Sequence, residues 1–110
     1  KSSIVDRKTN INEGTVILHN AVIQRDTNIG KHCIINTNAS VDHDCNIGNF
    51  VHIAPNSTLC GNVTVGDNTL VGAGAVVIPG VTIGKNCLIG AGSVILKNVK
   101  DNQTVYGKHR

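Results

Sequence analysis

An aliphatic residue recurs at every sixth position of this chain, from Val5 to Ile95. The sixteen members of the series are Val5, Ile11, Ile17, Ile23, Ile29, Ile35, Val41, Ile47, Ile53, Leu59, Val65, Val71, Val77, Ile83, Ile89 and Ile95. The residue four places after each of them is Ser, Thr, Ala, Val or Cys. A period of six fits neither an α-helix at 3.6 nor a strand at 2, and it is typical of a parallel β-helix. The repeat therefore predicts an all-β fold.

The repeat also predicts the dimensions of this fold. Three hexads make one triangular coil of 18 residues, so sixteen hexads give about five coils. Residues 18 apart should stack roughly 4.8 Å from one another, which makes the prism roughly 25 Å long. The first position of each hexad points to the axis and is large, whereas the fifth is small because the chain turns a corner there.

Glycine and asparagine residues lie near the predicted corners. Both residue types tolerate the left-handed backbone that a tight corner can require. We expect that conformation at Gly30, Gly48, Gly66, Gly72, Gly84 and Gly90, and at Asn28, Asn46, Asn68 and Asn86.

The sequence predicts a single domain. The uninterrupted period leaves no room for a second core in 110 residues. The β-helix is predicted over residues 1–99, because an aliphatic residue is due at Asp101 and does not appear. We expect residues 100–110 to form a polar C-terminal tail or cap. Because repeat proteins need their outer faces covered or polar, we also expect an oligomer, most simply a homotrimer of prisms.

Composition narrows the classes of partner. A net charge of +3, with Phe50 and Tyr106 as the aromatic residues, argues against a nucleic-acid-binding surface. We expect a cytoplasmic protein that is not in a membrane, because the sequence has neither a secretory signal nor an apolar run of membrane length.

The cysteines and histidines do not predict a metal site. Cys33, Cys45 and Cys87 fall on small inward positions, and Cys60 follows an inward leucine, so all four are expected to be buried, reduced thiols. The inward position of Cys45 also argues against a covalent cysteine intermediate. The histidines at 19, 32, 43 and 52 are 13, 11 and 9 residues apart, never the stacking interval of 18, and we expect no bound metal.

His43 is the candidate general base. It lies between Asp42 and Asp44, and a neighbouring carboxylate can orient an imidazole and raise its basicity. The alternative is that this cluster is only polar surface. Gly61, one coil further on, should stack next to His43 and offer a backbone N–H to an oxyanion. His52 follows His43 by nine residues, which is half a coil, so a combined site needs a second subunit.

The chain resembles a known family most closely between Ile34 and Gly107. The elements that carry this resemblance are His-Asp-Cys at 43–45, Phe-Val-His at 50–52 and Cys-Gly-Asn-Val at 60–63, all in register with the hexads. They resemble the hexapeptide acyltransferases, in particular the C-terminal domain of the sugar acetyltransferases grouped with sialic acid O-acetyltransferases and with bacillosamine-pathway and perosamine N-acetyltransferases. The resemblance implies a left-handed parallel β-helix.

The resemblance also implies roles for individual residues. The counterpart of His43 is the general base, and the acidic residue after it, here Asp44, strengthens that base. The counterpart of His52 contacts acetyl-CoA, the co-substrate. The backbone at Gly61 would meet the thioester carbonyl. The pantetheine groove would be lined by the backbone at Ala73 and Ala91.

The resemblance implies an acetyl-CoA-dependent acetyltransferase in bacterial surface-glycan biosynthesis. It would act on an amino or hydroxyl group of a sugar or nucleotide sugar, by direct transfer in active sites between subunits. The family's N-terminal Rossmann-like sugar-binding domain has no counterpart in this chain. The family usually continues with Asn-Pro-Ala where this chain ends with Lys108-His109-Arg110. We therefore expect a fragment truncated at both ends, which can be inactive alone.

Two alternatives remain open. The chain can be a non-catalytic trimeric scaffold or oligomerisation module. It can also be an O-acetyltransferase that acts on serine or sialic acid, because the prism residues do not distinguish an amine from a hydroxyl acceptor.

Overall fold

Each six-residue repeat folds into a two-residue strand and a four-residue corner. The computed structural model describes residues 3–110, which form a left-handed parallel β-helix. The strands, in chain order, are β1 Ile4–Val5, β2 Asn10–Ile11, β3 Val16–Ile17, β4 Val22–Ile23, β5 Asn28–Ile29, β6 Ile34–Ile35, β7 Ser40–Val41, β8 Asn46–Ile47, β9 His52–Ile53, β10 Thr58–Leu59, β11 Thr64–Val65, β12 Leu70–Val71, β13 Val76–Val77, β14 Thr82–Ile83, β15 Leu88–Ile89, β16 Val94–Ile95, β17 Thr104–Val105 and β18 Lys108–His109.

These strands form the three faces of a prism. Sheet A contains β1, β4, β7, β10, β13, β16 and β18, sheet B contains β2, β5, β8, β11 and β14, and sheet C contains β3, β6, β9, β12, β15 and β17. All pairs are parallel, and partners along most of the prism lie one full coil apart, as in Ile35 with Ile53. The predicted all-β fold and its coil length are thus confirmed.

The aliphatic series fills the axis of the prism. Its members from Ile23 to Ile95 are buried, whereas Val5 is 39% exposed because it lies at the end of the described chain, where no further coil covers it. The small fifth positions pack beside this series. The hydroxyl of buried Thr69 donates a hydrogen bond to the carbonyl of Gly84 at 2.7 Å, which satisfies a polar group inside the prism.

The left-handed backbone occurs at a different position from the one expected. Up to Gly92 it falls on the fourth place of the hexad, at Asn68 and Asn86 as expected, but Asn28 and Asn46 lie in strands. The other residues with this backbone are Gly14, Asn20, Asp26, His32, Asn38, Asp44, Phe50, Asn56, Asn62, Gly74, Gly80, Gly92, Asn102 and Gly107.

The six glycines that directly follow an aliphatic residue are explained by close packing between coils and not by backbone conformation. None of them has the left-handed backbone, so that expectation was wrong. A Cβ atom at Gly66 would lie 2.7 Å from the backbone carbon of Gly84 in the next coil. Glycine is needed there because two coils approach too closely for a side chain.

Gly66→Ala should therefore destabilise the chain by about 1 to 3 kcal/mol, the usual cost of forcing an extra methyl group into a packed site. Denaturant unfolding followed by circular dichroism measures this loss. Asn68→Gly is the control, since glycine accepts the left-handed backbone, and its free energy of unfolding should stay within about 1 kcal/mol of wild type. Equal stability of wild type and Gly66→Ala would contradict the close-approach explanation.

Residues 100–110 continue the prism with a shortened coil. Val99 pairs with Ile83, β17 pairs with β15 and β18 pairs with β16, and each of these partners comes sooner along the chain than a full coil would place it. This segment covers the C-terminal end of the core, and Val105 within it is buried. The longest dimension is accordingly 34 Å, more than five coils alone would give. Within residues 3–110, no helix has the length and hydropathy needed to cross a membrane.

Candidate active site

His43 lies at the corner that leads from sheet A to sheet B, immediately before a residue with left-handed backbone. That residue is Asp44, whose φ is 58°. The bend returns the carboxylate to the ring, and Oδ2 of Asp44 lies 3.0 Å from Nδ1 of His43. The backbone N–H of His43 also donates a hydrogen bond to Oδ1 of Asp42 at 2.8 Å. The two aspartates therefore hold the backbone and the ring of one histidine.

The contact with Asp44 determines which nitrogen of His43 is free. An ionised carboxylate only accepts hydrogen bonds, so Nδ1 carries the proton and donates it to Oδ2. The other nitrogen, Nε2, keeps its lone pair. The side chain of His43 is 39% exposed and that of Asp44 is 44% exposed, so this lone pair is within reach of a ligand. An oriented imidazole with an accessible lone pair can act as a general base.

Gly61 makes room for the imidazole of His43. A Cβ atom at this position would lie 2.6 Å from Cε1 and 2.7 Å from Nε2 of the ring. Among residues 3–110, no acceptor receives the Gly61 N–H, whereas its carbonyl accepts a hydrogen bond from Gly80 at 3.0 Å. The structure thus brings together His43, Asp44 and Gly61, and leaves one main-chain donor beside the imidazole.

The cysteines near this corner are poorly suited to act as nucleophiles. The thiol of Cys45 is buried and donates a hydrogen bond to the carbonyl of Cys60 at 3.2 Å. Burial raises the pKa of Cys45 to about 11, so the thiolate is scarce at neutral pH. Burial also raises the pKa of Cys60. All four cysteines are free thiols, as predicted, although Cys60 is only half-buried.

His52 lies elsewhere on the prism. It is the outward residue of β9 in sheet C, in register between Ile34 and Leu70. In the described chain its ring contacts Asn36, with 3.1 Å between Nε2 of His52 and Nδ2 of Asn36, and makes no hydrogen bond to His43. A single chain therefore does not bring the two histidines into one site.

Sequence reasoning missed Asn36 because its contact with His52 spans 16 residues, slightly less than one coil. These two side chains meet diagonally across neighbouring coils, where long side chains still reach one another. A search of diagonal pairs in the hexad register would have found the contact.

Ala73 and Ala91 lie at the corner that leads from sheet C to sheet A. They lie one coil apart and are exposed, and each follows a buried glycine, Gly72 or Gly90. The Ala73 carbonyl accepts a hydrogen bond from Gly92 at 2.8 Å, but no acceptor within residues 3–110 receives the N–H of Ala73 or Ala91. This corner offers main-chain donors at successive coils, yet it is separate from the corner of His43.

Two hollows lie at the ends of the prism, and neither is lined by the candidate site residues described above. One of about 500 Å³ lies near Arg7 and Arg25. Another of about 490 Å³ lies near Lys97, Lys100 and His109. One chain thus presents the parts of the site on open surfaces. Across residues 3–110, no group of three or more His, Cys, Asp or Glu side chains is placed to hold a metal ion.

Comparison with solved structures shows close likeness. A variant of perosamine N-acetyltransferase from Caulobacter crescentus, solved with CoA and GDP-perosamine, is 40% identical with a TM-score of 0.96, and the match covers 96% of this chain and 50% of that one. The acetyltransferase domain of PglB from Neisseria gonorrhoeae, in complex with acetyl coenzyme A, is 37% identical with a TM-score of 0.96, covering 96% and 52%. The chain thus spans about half the length of these proteins.

A serine acetyltransferase in complex with CoA is less similar. It is 31% identical with a TM-score of 0.72, and the match covers 79% of this chain and 39% of that one. No curated protein sequence gives a significant match.

The sequence also matches a protein family directly. Three overlapping matches, to residues 26–61, 44–78 and 62–97, correspond to the family described as bacterial transferase hexapeptide (six repeats). Together they extend from 26 to 97, well over half of the 110 residues. The chain belongs to the bacterial transferase hexapeptide family.

Proposed function

We propose that this chain is the acyltransferase domain of an acetyl-CoA-dependent sugar acetyltransferase, acting on an amino or hydroxyl group of a sugar or nucleotide sugar. The observation that carries the proposal is the His43–Asp44 contact over Gly61, which combines an oriented base with a free main-chain donor. The perosamine enzyme and the PglB domain, which were solved with CoA or acetyl coenzyme A, support the choice of acyl donor. The GDP-perosamine in the first of them supports a nucleotide-sugar acceptor.

In the proposed mechanism His43 acts as the base. Its Nε2 takes the proton of the acceptor amine or hydroxyl as that nitrogen or oxygen attacks the thioester carbonyl carbon. Asp44 stabilises the imidazolium that forms, and the Gly61 N–H donates to the oxyanion. When the C–S bond breaks, His43 returns the proton to the leaving thiolate. No covalent enzyme intermediate is needed, in keeping with the raised pKa of Cys45.

We infer a homotrimer with active sites between subunits. The outward side chains of sheet B are polar, namely Asn10, Asn28, Asn46, Thr64 and Thr82. Sheets A and C instead expose apolar side chains, including Ile4 at 66% and Val16 at 48%. Burial of these two faces against other copies is favourable. It would also let His52 and the main chain at Ala73 and Ala91 of one copy face His43 of another.

The proposed setting is the cytoplasm and the pathway is bacterial surface-glycan biosynthesis. Four free thiols are typical of a reducing compartment. A hydroxyl acceptor such as serine or sialic acid is the second candidate, favoured by the likeness to serine acetyltransferase.

Isothermal titration of the chain with acetyl-CoA tests the proposal. Desulfo-CoA is the control ligand, and the mass of the assembly is measured in parallel by light scattering. We expect binding by a trimer with a Kd on the order of micromolar, close to 8 kcal/mol of binding free energy. A well-folded trimer that binds neither ligand would contradict the enzyme proposal and favour the scaffold.

A further inference from the structure

Asn36 is a half-buried amide that reaches His52 across neighbouring coils. Its Nδ2 lies 3.1 Å from Nε2 of His52. Neither residue belongs to the corner of His43, so the contact has no part in holding the base. The role of this contact depends on which of the two nitrogen atoms donates.

A second hydrogen bond settles the orientation of the Asn36 amide. The backbone N–H of Thr37 donates to Oδ1 of Asn36 at 2.7 Å. If the amide were turned over, its NH₂ group would face the Thr37 N–H, and two donors would oppose one another. Oδ1 therefore faces Thr37, and the NH₂ group faces His52.

The orientation of the amide in turn selects the tautomer of His52. Because the NH₂ group can only donate, Nε2 of the neutral His52 ring must be the acceptor, and the ring proton lies on Nδ1. Within residues 3–110, Nδ1 of His52 makes no hydrogen bond. A hydrogen-bond donor is therefore free on the outer face of sheet C.

His43 and His52 thus present opposite groups. In His43, Asp44 holds the proton on Nδ1 and Nε2 offers a lone pair. In His52, Asn36 occupies the lone pair of Nε2 and Nδ1 offers a proton. One neutral imidazole is suited to removing a proton and the other to donating a hydrogen bond.

We propose that Asn36 is a positioning residue that holds His52 in its Nδ1-protonated tautomer, so that His52 donates a hydrogen bond to a carbonyl oxygen of the acyl-CoA. The role of Asn36 rests on the two hydrogen bonds described above. The identity of the acceptor rests on the proposed function.

The test is long-range ¹H–¹⁵N correlation NMR of the full chain labelled with ¹⁵N-histidine. His52→Ala assigns the His52 signals. We expect the pattern of a ring protonated at Nδ1 in wild type. Asn36→Asp should reverse the tautomer, because a carboxylate at this position accepts from Nε2–H. Asn28→Ala removes an exposed asparagine of sheet B and should leave the His52 signals unchanged.

Steady-state kinetics adds a functional readout. Asn36→Ala should raise the KM for acetyl-CoA about 10-fold with kcat within about 2-fold, the effect of losing one oriented hydrogen bond. Protonation of His52 at Nε2 in wild type would overturn the proposal, whatever the kinetics show. A wild-type ring protonated at Nδ1, in a chain that does not bind acetyl-CoA, would uphold the role of Asn36 and reject the coenzyme role of His52.

Discussion

His43→Ala should lower kcat for acetyl transfer by about 10² to 10⁴-fold, the usual contribution of a positioned general base. The loss is expected because Nε2 of His43 is the proposed base, whose lone pair the Asp44 contact leaves free. Release of the CoA thiol, measured with GDP-perosamine or serine as acceptor, reports kcat. Binding of acetyl-CoA should change little, since this side chain is proposed to act on the acceptor.

Two variants make this test specific. Asp44→Asn keeps a residue that tolerates the left-handed backbone and an oxygen that accepts from Nδ1, but it removes the charge. It should therefore lose less activity than His43→Ala. His32→Asn is the matched control, because His32 stacks on Phe50 at a different corner and has left-handed backbone that asparagine accepts. Turnover of His43→Ala at the wild-type rate would exclude His43 as the base.

The sequence was sufficient to predict the axis of the fold. The aliphatic at the first position and the small residue at the fifth both point inward, as Ile53 and Ser57 show. Periodicity reports burial directly, so these positions could be assigned without coordinates. The backbone conformation at the corners could not be assigned in this way. Gly66 and Asn68 both look like corner residues in the sequence. Gly66 is needed because two coils approach closely there, whereas Asn68 adopts the left-handed backbone.

The last coil shows a second limit of a fixed period. Asp101 breaks the hexad, and the sequence therefore predicted that the repeat stops at 99. The chain instead shortens two corners, and Val105 and His109 reach the register of Ile89 and Ile95. A strict period cannot detect a coil that loses residues, although aliphatic Val99 and Val105, one hexad apart, carry a weak signal.

The sequence likewise predicted some features of the candidate site and not others. The coil repeat was sufficient to place Gly61 beside His43, and the flanking aspartates suggested the oriented ring. The tautomers of His43 and His52 were beyond the sequence, because they depend on which oxygen or amide faces each ring nitrogen. For Ala73 and Ala91 the groups proposed to contact acetyl-CoA are main-chain N–H groups, which no residue type reveals.

Gly61→Ala should lower kcat by about 10²-fold, the scale of a displacement of about 1 Å in a catalytic group. The added methyl group would lie 2.6 Å from Cε1 and 2.7 Å from Nε2 of His43, so the imidazole must leave its position. The Gly61 N–H is kept in this variant. The experiment therefore tests the position of the His43 ring alone, because the main-chain donor at Gly61 is unchanged.

The matched control for Gly61→Ala is Gly66→Ala. Both substitutions add one methyl group, and neither glycine has the left-handed backbone. At Gly66 the methyl group meets the main chain of Gly84 and Lys85, away from His43, so stability should fall while kcat is kept. At Gly61 it meets the ring of His43, the proposed base, so kcat should fall more than stability. If Gly61→Ala kept a kcat within about 2-fold of wild type, the position of the His43 ring over Gly61 would not be the catalytic one.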